Sequence, residues 1–102
     1  MSIGIIASSR VRFAEGISVN PENKTLNFSS QSYEIEVISE TNFTVSDNAG
    51  WTTISPETGL ANTVVTITVT LTENMTPTSR QAIIAFNNGQ ESNNHELNQS
   101  AK

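Results

Sequence analysis

The chain has 102 residues, 35% of them hydrophobic, with ten acidic against five basic side chains, a formal net charge of -5 and a pI near 4.6. That length suits one domain and leaves no room for a second, and so few Lys and Arg cannot neutralise a phosphate backbone, which removes nucleic acid as an expected partner. The absence of cysteine excludes disulfides, thiolate metal sites and a thiol nucleophile, while 13 Ser, 13 Thr and 12 Asn favour strand faces and turns over helices.

Residues 1–16 differ in character from the rest. Met1-Ser2-Ile3-Gly4-Ile5-Ile6-Ala7 lacks a positive n-region and is shorter than the roughly 7 to 15 apolar residues of a secretory core. No run approaches the roughly 18 to 20 apolar residues of a membrane span. Neither an export leader nor a membrane partner is therefore expected. Ile3, Ile5 and Ile6 are followed by Val11 and Phe13 alternating with Arg10 and Arg12. Such a segment either adds a strand to the domain's own sheet or is an arm that pairs with another chain.

From residue 17 onward the pattern is short β-type segments separated by turn chemistry, with no helical period. Strands are expected at 17–19 and 25–28. Tyr33, Ile35 and Val37 alternate with Glu34 and Glu36, as in a strand with one buried face. Further strands are expected at 42–46 and around 51–54. Val65, Ile67, Val69 and Leu71 alternate with Thr66, Thr68 and Thr70 in the clearest strand of the chain. Residues 82–86, apolar on both parities, predict a strand covered on both faces or central in its sheet. Asn87-Asn88-Gly89 tolerates positive φ and should turn the chain into a last strand at 95–99. About seven strands over 17–102 predict an all-β, immunoglobulin-like β-sandwich, with 1–16 as an N-terminal arm or added strand.

The segment Asn42-Phe43-Thr44-Val45-Ser46 and then Gly50-Trp51-Thr52-Thr53-Ile54-Ser55-Pro56-Glu57-Thr58-Gly59 resembles the central signature of BACON domains. These are immunoglobulin-like modules of Bacteroidetes surface proteins and of the crAss-like phages that infect such bacteria. The 65–71 strand, Thr78-Ser79-Arg80 before Ala82-Ile83-Ile84, and Leu97-Asn98-Gln99 look like the same pattern. Phe43 stands where the family often has a second Trp, which weakens a sugar-stacking platform but suits a core position. The resemblance carries the fold further than the function, because the carbohydrate-binding role attached to the family rests on multidomain neighbours.

Trp51, the only tryptophan, precedes a turn built by Pro56 and Gly59, and is expected between the sheets or else as a ligand platform. Glu34 and Glu36 share a face about 7 Å apart, a spacing seen in paired-carboxylate hydrolases. Two charges that solubilise an exposed face are the simpler account. His95, the only histidine, has no nucleophile elbow or oxyanion motif around it and reads as structural. Asp47, the only aspartate, belongs with Asn48 to a turn rather than a calcium loop. Five Asn-x-Ser/Thr matches, at Asn23, Asn27, Asn42, Asn74 and Asn98, fit chance in so Asn- and Thr-rich a chain.

These readings predict a non-enzymatic module with no metal or cofactor. The expected role is a structural and adhesion subunit that decorates a phage capsid, so that the location is the virion and the partner another virion protein. Docking would run through Ile3, Ile5, Ile6, Val11 and Phe13, with Arg10 and Arg12 on acidic groups of the partner. The alternative is a carbohydrate-binding module, secreted or at a bacterial cell surface, which reads host or mucin glycans with loops bearing Asp47, Asn48, Trp51, Asn87 and Asn88.

Overall fold

The computed structural model describes residues 16–102, which form nine strands and no helix. The proposed arm residues Ile3, Ile5, Ile6, Arg10, Val11, Arg12 and Phe13 lie outside the described residues. In chain order the strands are β1 (Ile17–Asn20), β2 (Asn23–Leu26), β3 (Gln31–Ser39), β4 (Phe43–Asp47), β5 (Thr52–Ser55), β6 (Thr58–Gly59), β7 (Val65–Leu71), β8 (Arg80–Asn87) and β9 (Ser92–Gln99).

One sheet runs β1-β3-β7-β5 and the other β2-β9-β8-β4-β6. Every pairing is antiparallel except β2 with β9. The expected all-β sandwich is thus present, with more strands than the sequence pattern suggested. The chain changes sheet between β1 and β2 at Pro21, which has no N–H to extend a ladder.

Period-two alternation does most of the building. Along β3, Ile35 and Val37 are buried while Glu34, Glu36 and Ile38 face out, and β7 repeats this with Ile67, Val69 and Leu71 inside. Their registers, Ile35 opposite Ile67 and Val37 opposite Val65, stack like with like on the inner face. The second sheet answers with Phe43, Val45, Ala82, Ile84, Phe86 and Leu97. The doubly apolar run in β8 is explained by its place: it lies between β9 and β4, where Ile83 and Ala85 on the outer face stay half-buried. Each large apolar side chain sealed in this way contributes roughly 1.5 to 3 kcal/mol, so packing can hold the fold without cross-links.

Gly59 shows how one residue of the family-like pattern works. It faces Phe43 across the β4–β6 ladder, and a Cβ built on it would lie 2.1 Å from the Phe43 ring. The ring, itself 2% exposed, therefore occupies the volume that any side chain at 59 would need. Glycine is required there for close approach.

Candidate binding surfaces

The register divides the sandwich into two poles. At one pole β8 begins, opposite the end of β9, and Arg80 faces Gln99 across the ladder. The guanidinium of Arg80 stacks 4.1 Å over the Trp51 ring. Its Nε donates to Gln99 Oε1 at 2.8 Å and its Nη2 to the Thr72 carbonyl at 2.9 Å. Gln99, fully buried, sends its own amide to the carbonyls of Phe28 and Thr72, both at 3.0 Å. Trp51 is half-buried against the core, its carbonyl taking the Thr72 N–H at 3.1 Å. The indole is thus half-buried, packed against the core and covered by Arg80.

Asn74 organises the next loop at this pole. It is fully buried, donates from Nδ2 to the carbonyls of Thr78 and Ser100, and accepts at Oδ1 from the hydroxyl and N–H of Thr76. Its Asn-x-Thr match is thus the signature of a turn.

At the opposite pole β8 ends, β4, β7 and β9 begin, and β3 meets the start of β1. Cross-sheet polar contacts close it: Asn88 Nδ2 donates to Ser39 Oγ at 3.3 Å, and Thr41 Oγ1 to the Asn88 carbonyl at 3.0 Å. Asn62, at φ 60°, pins the 60–64 loop by donating its N–H to the Ser39 carbonyl at 2.8 Å. Asn adopts that left-handed conformation more readily than most residues.

This pole carries exposed apolar groups. Ile38 and Val64, 42% and 60% exposed, line one shallow depression with Ser18 and Glu36. Leu60, 68% exposed, borders a cleft of about 540 Å³ with Phe43, Gly59, Thr63 and Val65. Gly16, where the described chain begins, lies at the same pole, its carbonyl accepting from the Glu40 N–H at 3.4 Å. Nothing in the alternation of β3 marks Ile38, since it occupies the outward parity of Glu34 and Glu36. Its place opposite the β7 approach is what pairs it with Val64.

The five residues considered for glycan contact fall into two groups. Asp47 ends β4 opposite Ile84, and its carboxylate accepts from the Ala49 N–H at 3.0 Å and from the Thr52 hydroxyl. Asn48 continues the ladder, its N–H donating to the Ile83 carbonyl and its Oδ1 taking the Ile83 N–H. Trp51 is beside Arg80. Asn87 and Asn88 lie at the far pole, about 23 Å from Arg80 at the rise of a strand. There Asn87 Oδ1 takes the Gly89 N–H, and Asn88 Oδ1 takes those of Gln90 and Glu91. Along β8 the Asp47 rung is three residues, about 10 Å, from that of Asn87, and Arg80 with Trp51 lies farther off at the other pole.

His95 sits in the second sheet's inner face, fully buried. Its Nδ1 is 2.7 Å from the Pro21 carbonyl and its Nε2 2.7 Å from the Tyr33 hydroxyl. A carbonyl only accepts, so Nδ1 carries the hydrogen and Nε2 accepts from the phenol. Burial lowers the imidazole's pKa, with the Lys24 cation acting the same way and the Pro21 bond opposing. Burial, aided by the Asp47 carboxylate, raises that of Tyr33. The two rings form a neutral structural link between sheets. Glu34 and Glu36 are exposed on the outer face of β3, and among the described residues no three His, Asp or Glu converge as metal ligands.

The half-buried aromatic rings share one further property. Lys24 lies 5.9 Å from the Tyr33 ring centre, Arg80 4.1 Å from that of Trp51, and Lys102 5.7 Å from that of Phe28. Phe43 and Phe86 are inside. Among the described residues, every ring is buried or has a cation against it.

Over 85% of the chain the fold matches a segment of a Bacteroides ovatus GH5 xyloglucanase solved with a XXXG heptasaccharide, at TM-score 0.76 and 17% identity, which is 19% of that enzyme's length. Over 84% it matches WR4, an MSP family member of C. elegans, at TM-score 0.56 and 14% identity, covering 97% of that chain. At such identities the likeness is one of fold. No curated protein matches by sequence. The family model BACON, described as "Putative binding domain, N-terminal", matches residues 40–99, which include the β4–β6 ladder with its Phe43–Gly59 contact, Trp51 under Arg80, and the buried Gln99. The chain belongs to the BACON family.

Proposed function

We propose that this chain is a non-catalytic docking module, a subunit that attaches to a larger protein assembly through the pole bearing Gly16, Ile38, Leu60 and Val64, together with the arm that precedes it. The observation that carries this reading is the pairing of exposed apolar side chains with the start of the domain at a single pole. Apolar groups gathered in this way are characteristic of contact surfaces, and the family is one of binding domains. The assembly we favour is a phage capsid, with the chain as a decoration subunit of the virion and the acidic remainder toward solvent.

A second reading, glycan binding, is favoured by the fold's likeness to a segment of a xyloglucanase. Against it stand the covered rings and the internally bonded Asp47 and Asn48. A stacking platform for a sugar would need an open ring face.

The test is occupancy. Particles assembled with a chain lacking residues 1–16 should lose the subunit, and retention at full occupancy would count against docking through the arm. In parallel, binding to a glycan array by the intact chain would move the conclusion to the second reading.

A further inference from the structure

We propose that this module bears tension along its long axis, with β9 locked to the β1–β2 segment as a shear clamp between the Gly16 end and the Lys102 end. The inference stands on strand direction and on three side chains of β9, and it holds whatever the module docks to.

The two ends leave by opposite poles. β1 begins where Ile17 faces Ser39 and the Gly16 carbonyl takes the Glu40 N–H. β2 runs on in the same direction until Leu26 faces Gln99, which itself faces Arg80. β9 also runs that way, from Ser92 to Gln99, and Lys102 follows it there, its N–H on the Thr76 carbonyl at 3.1 Å. Tension between Gly16 and Lys102 therefore draws the β1–β2 segment and β9 past each other lengthwise.

The pairing that lies across this slip is parallel, β2 with β9. Its bonds extend from the Glu96 N–H on the Glu22 carbonyl, at 3.1 Å, to the Ser100 N–H on the Leu26 carbonyl, at 2.9 Å. Evenly spaced bonds loaded along the strands share the force and must break together. A pair of strands pulled apart from one end gives way a bond at a time, at much lower force.

Side chains reinforce the ladder. The inward positions of β9 are Asn93, His95, Leu97 and Gln99, and three of the four are polar where a sandwich core calls for apolar residues. Each of the three reaches a main-chain carbonyl of the N-terminal strands or their flanks. Asn93 Nδ2 donates to Ile17 at 3.0 Å, His95 Nδ1 to Pro21 at 2.7 Å and Gln99 Nε2 to Phe28 at 3.0 Å. These staples are spread along the whole of β9, and because they end on backbone they resist sliding of the chain itself. His95 and Gln99 are fully buried, so water cannot readily replace a stretched bond there.

Force spectroscopy on the full chain tests this, since the chain has no cysteine of its own to compete with introduced handles. Glu15→Cys with a cysteine appended to Lys102 loads the molecule from pole to pole. Glu15→Cys with Gln90→Cys loads it from one pole, because Gln90 lies in the turn between β8 and β9. Forced unfolding follows the unfolding barrier rather than equilibrium stability, so the two directions compare geometry within one fold. At equal loading rate the axial unfolding force should be several-fold above the lateral one. An axial force equal to or below the lateral one would overturn the proposal. Asn93→Ala should lower the axial force, while Asn98→Ala, which loses an outer-face bond to Gln81 of β8, should leave it unchanged. An axial force indifferent to Asn93→Ala would also overturn the clamp, since its staples would carry no load.

Discussion

Replacing His95 with glutamine should flatten the fold's response to mild acid. In the folded protein the imidazole is buried, and its pKa lies below the ordinary value of about 6.5. The unfolded chain therefore takes up a proton first as pH falls. Stability from this group is complete above about pH 6.5 and is lost between there and the lowered folded value. One unit below 6.5 an unfolded histidine is about ten-elevenths protonated, so the loss reaches about 1.4 kcal/mol if the folded ring stays neutral. Glutamine can still donate to the Pro21 carbonyl and accept from the Tyr33 hydroxyl without titrating. Urea unfolding of both proteins at about pH 7.5 and about pH 5.5 isolates the histidine, because the carboxylates are common to both. The parent should lose up to about 1.4 kcal/mol relative to His95→Gln. Equal loss in the two proteins would refute the buried neutral ring.

Three other outcomes follow from the same contacts. The phenol of Tyr33, held above its ordinary pKa, contributes stability that is present below about pH 10 and lost as pH rises further; since it is the only tyrosine, absorbance should show no phenolate at pH 10 to about 11 until the fold opens. Gly59→Ala should cost about 1 to 3 kcal/mol by displacing the Phe43 ring, read as a lower urea midpoint with unchanged slope. Arg80→Met should cost about 1 to 3 kcal/mol, because it leaves buried Gln99 Oε1 without its donor, and should shift the emission of the sole tryptophan by uncovering it.

Much of the sandwich was legible because strands with one wet face write their orientation in every second residue, as β3 and β7 do. Short elements were not. Thr58–Gly59 has too few residues for any period, and its pairing depends on the ring of Phe43. The parallel pairing of β2 with β9 was equally hidden, since it follows from the sheet change at Pro21 rather than from either strand's pattern. β9 begins three residues earlier than its apolar positions suggested, because Ser92, Asn93 and Asn94 pair with β8 through backbone alone.

The candidate site was less legible for a related reason. The segments containing Asp47, Asn48, Asn87 and Asn88 look alike in sequence, but strand register sets Asp47 three rungs along β4 from the Thr44–Asn87 pair. Asp47 and Asn87 bond within their turns, while Asn48 reaches Ile83 across the ladder and Asn88 reaches Ser39 as well as its own turn. Trp51 stands out as the sole tryptophan, yet its partner Arg80 lies 29 positions away and nothing in the spacing joins them. The exposed cluster of Ile38, Leu60 and Val64 appears only once β3 and β7 are set side by side.

Radical footprinting of the chain in its native complex tests the docking account most directly, because the two poles carry internal controls. Leu60, Val64 and Ile38 report on one pole, and Met75, 72% exposed, reports with Trp51 on the other. The account predicts strong protection of the first three on binding, with Met75 oxidised as fast as in the free chain. Protection of Trp51 and Met75 with Leu60 left open would contradict it.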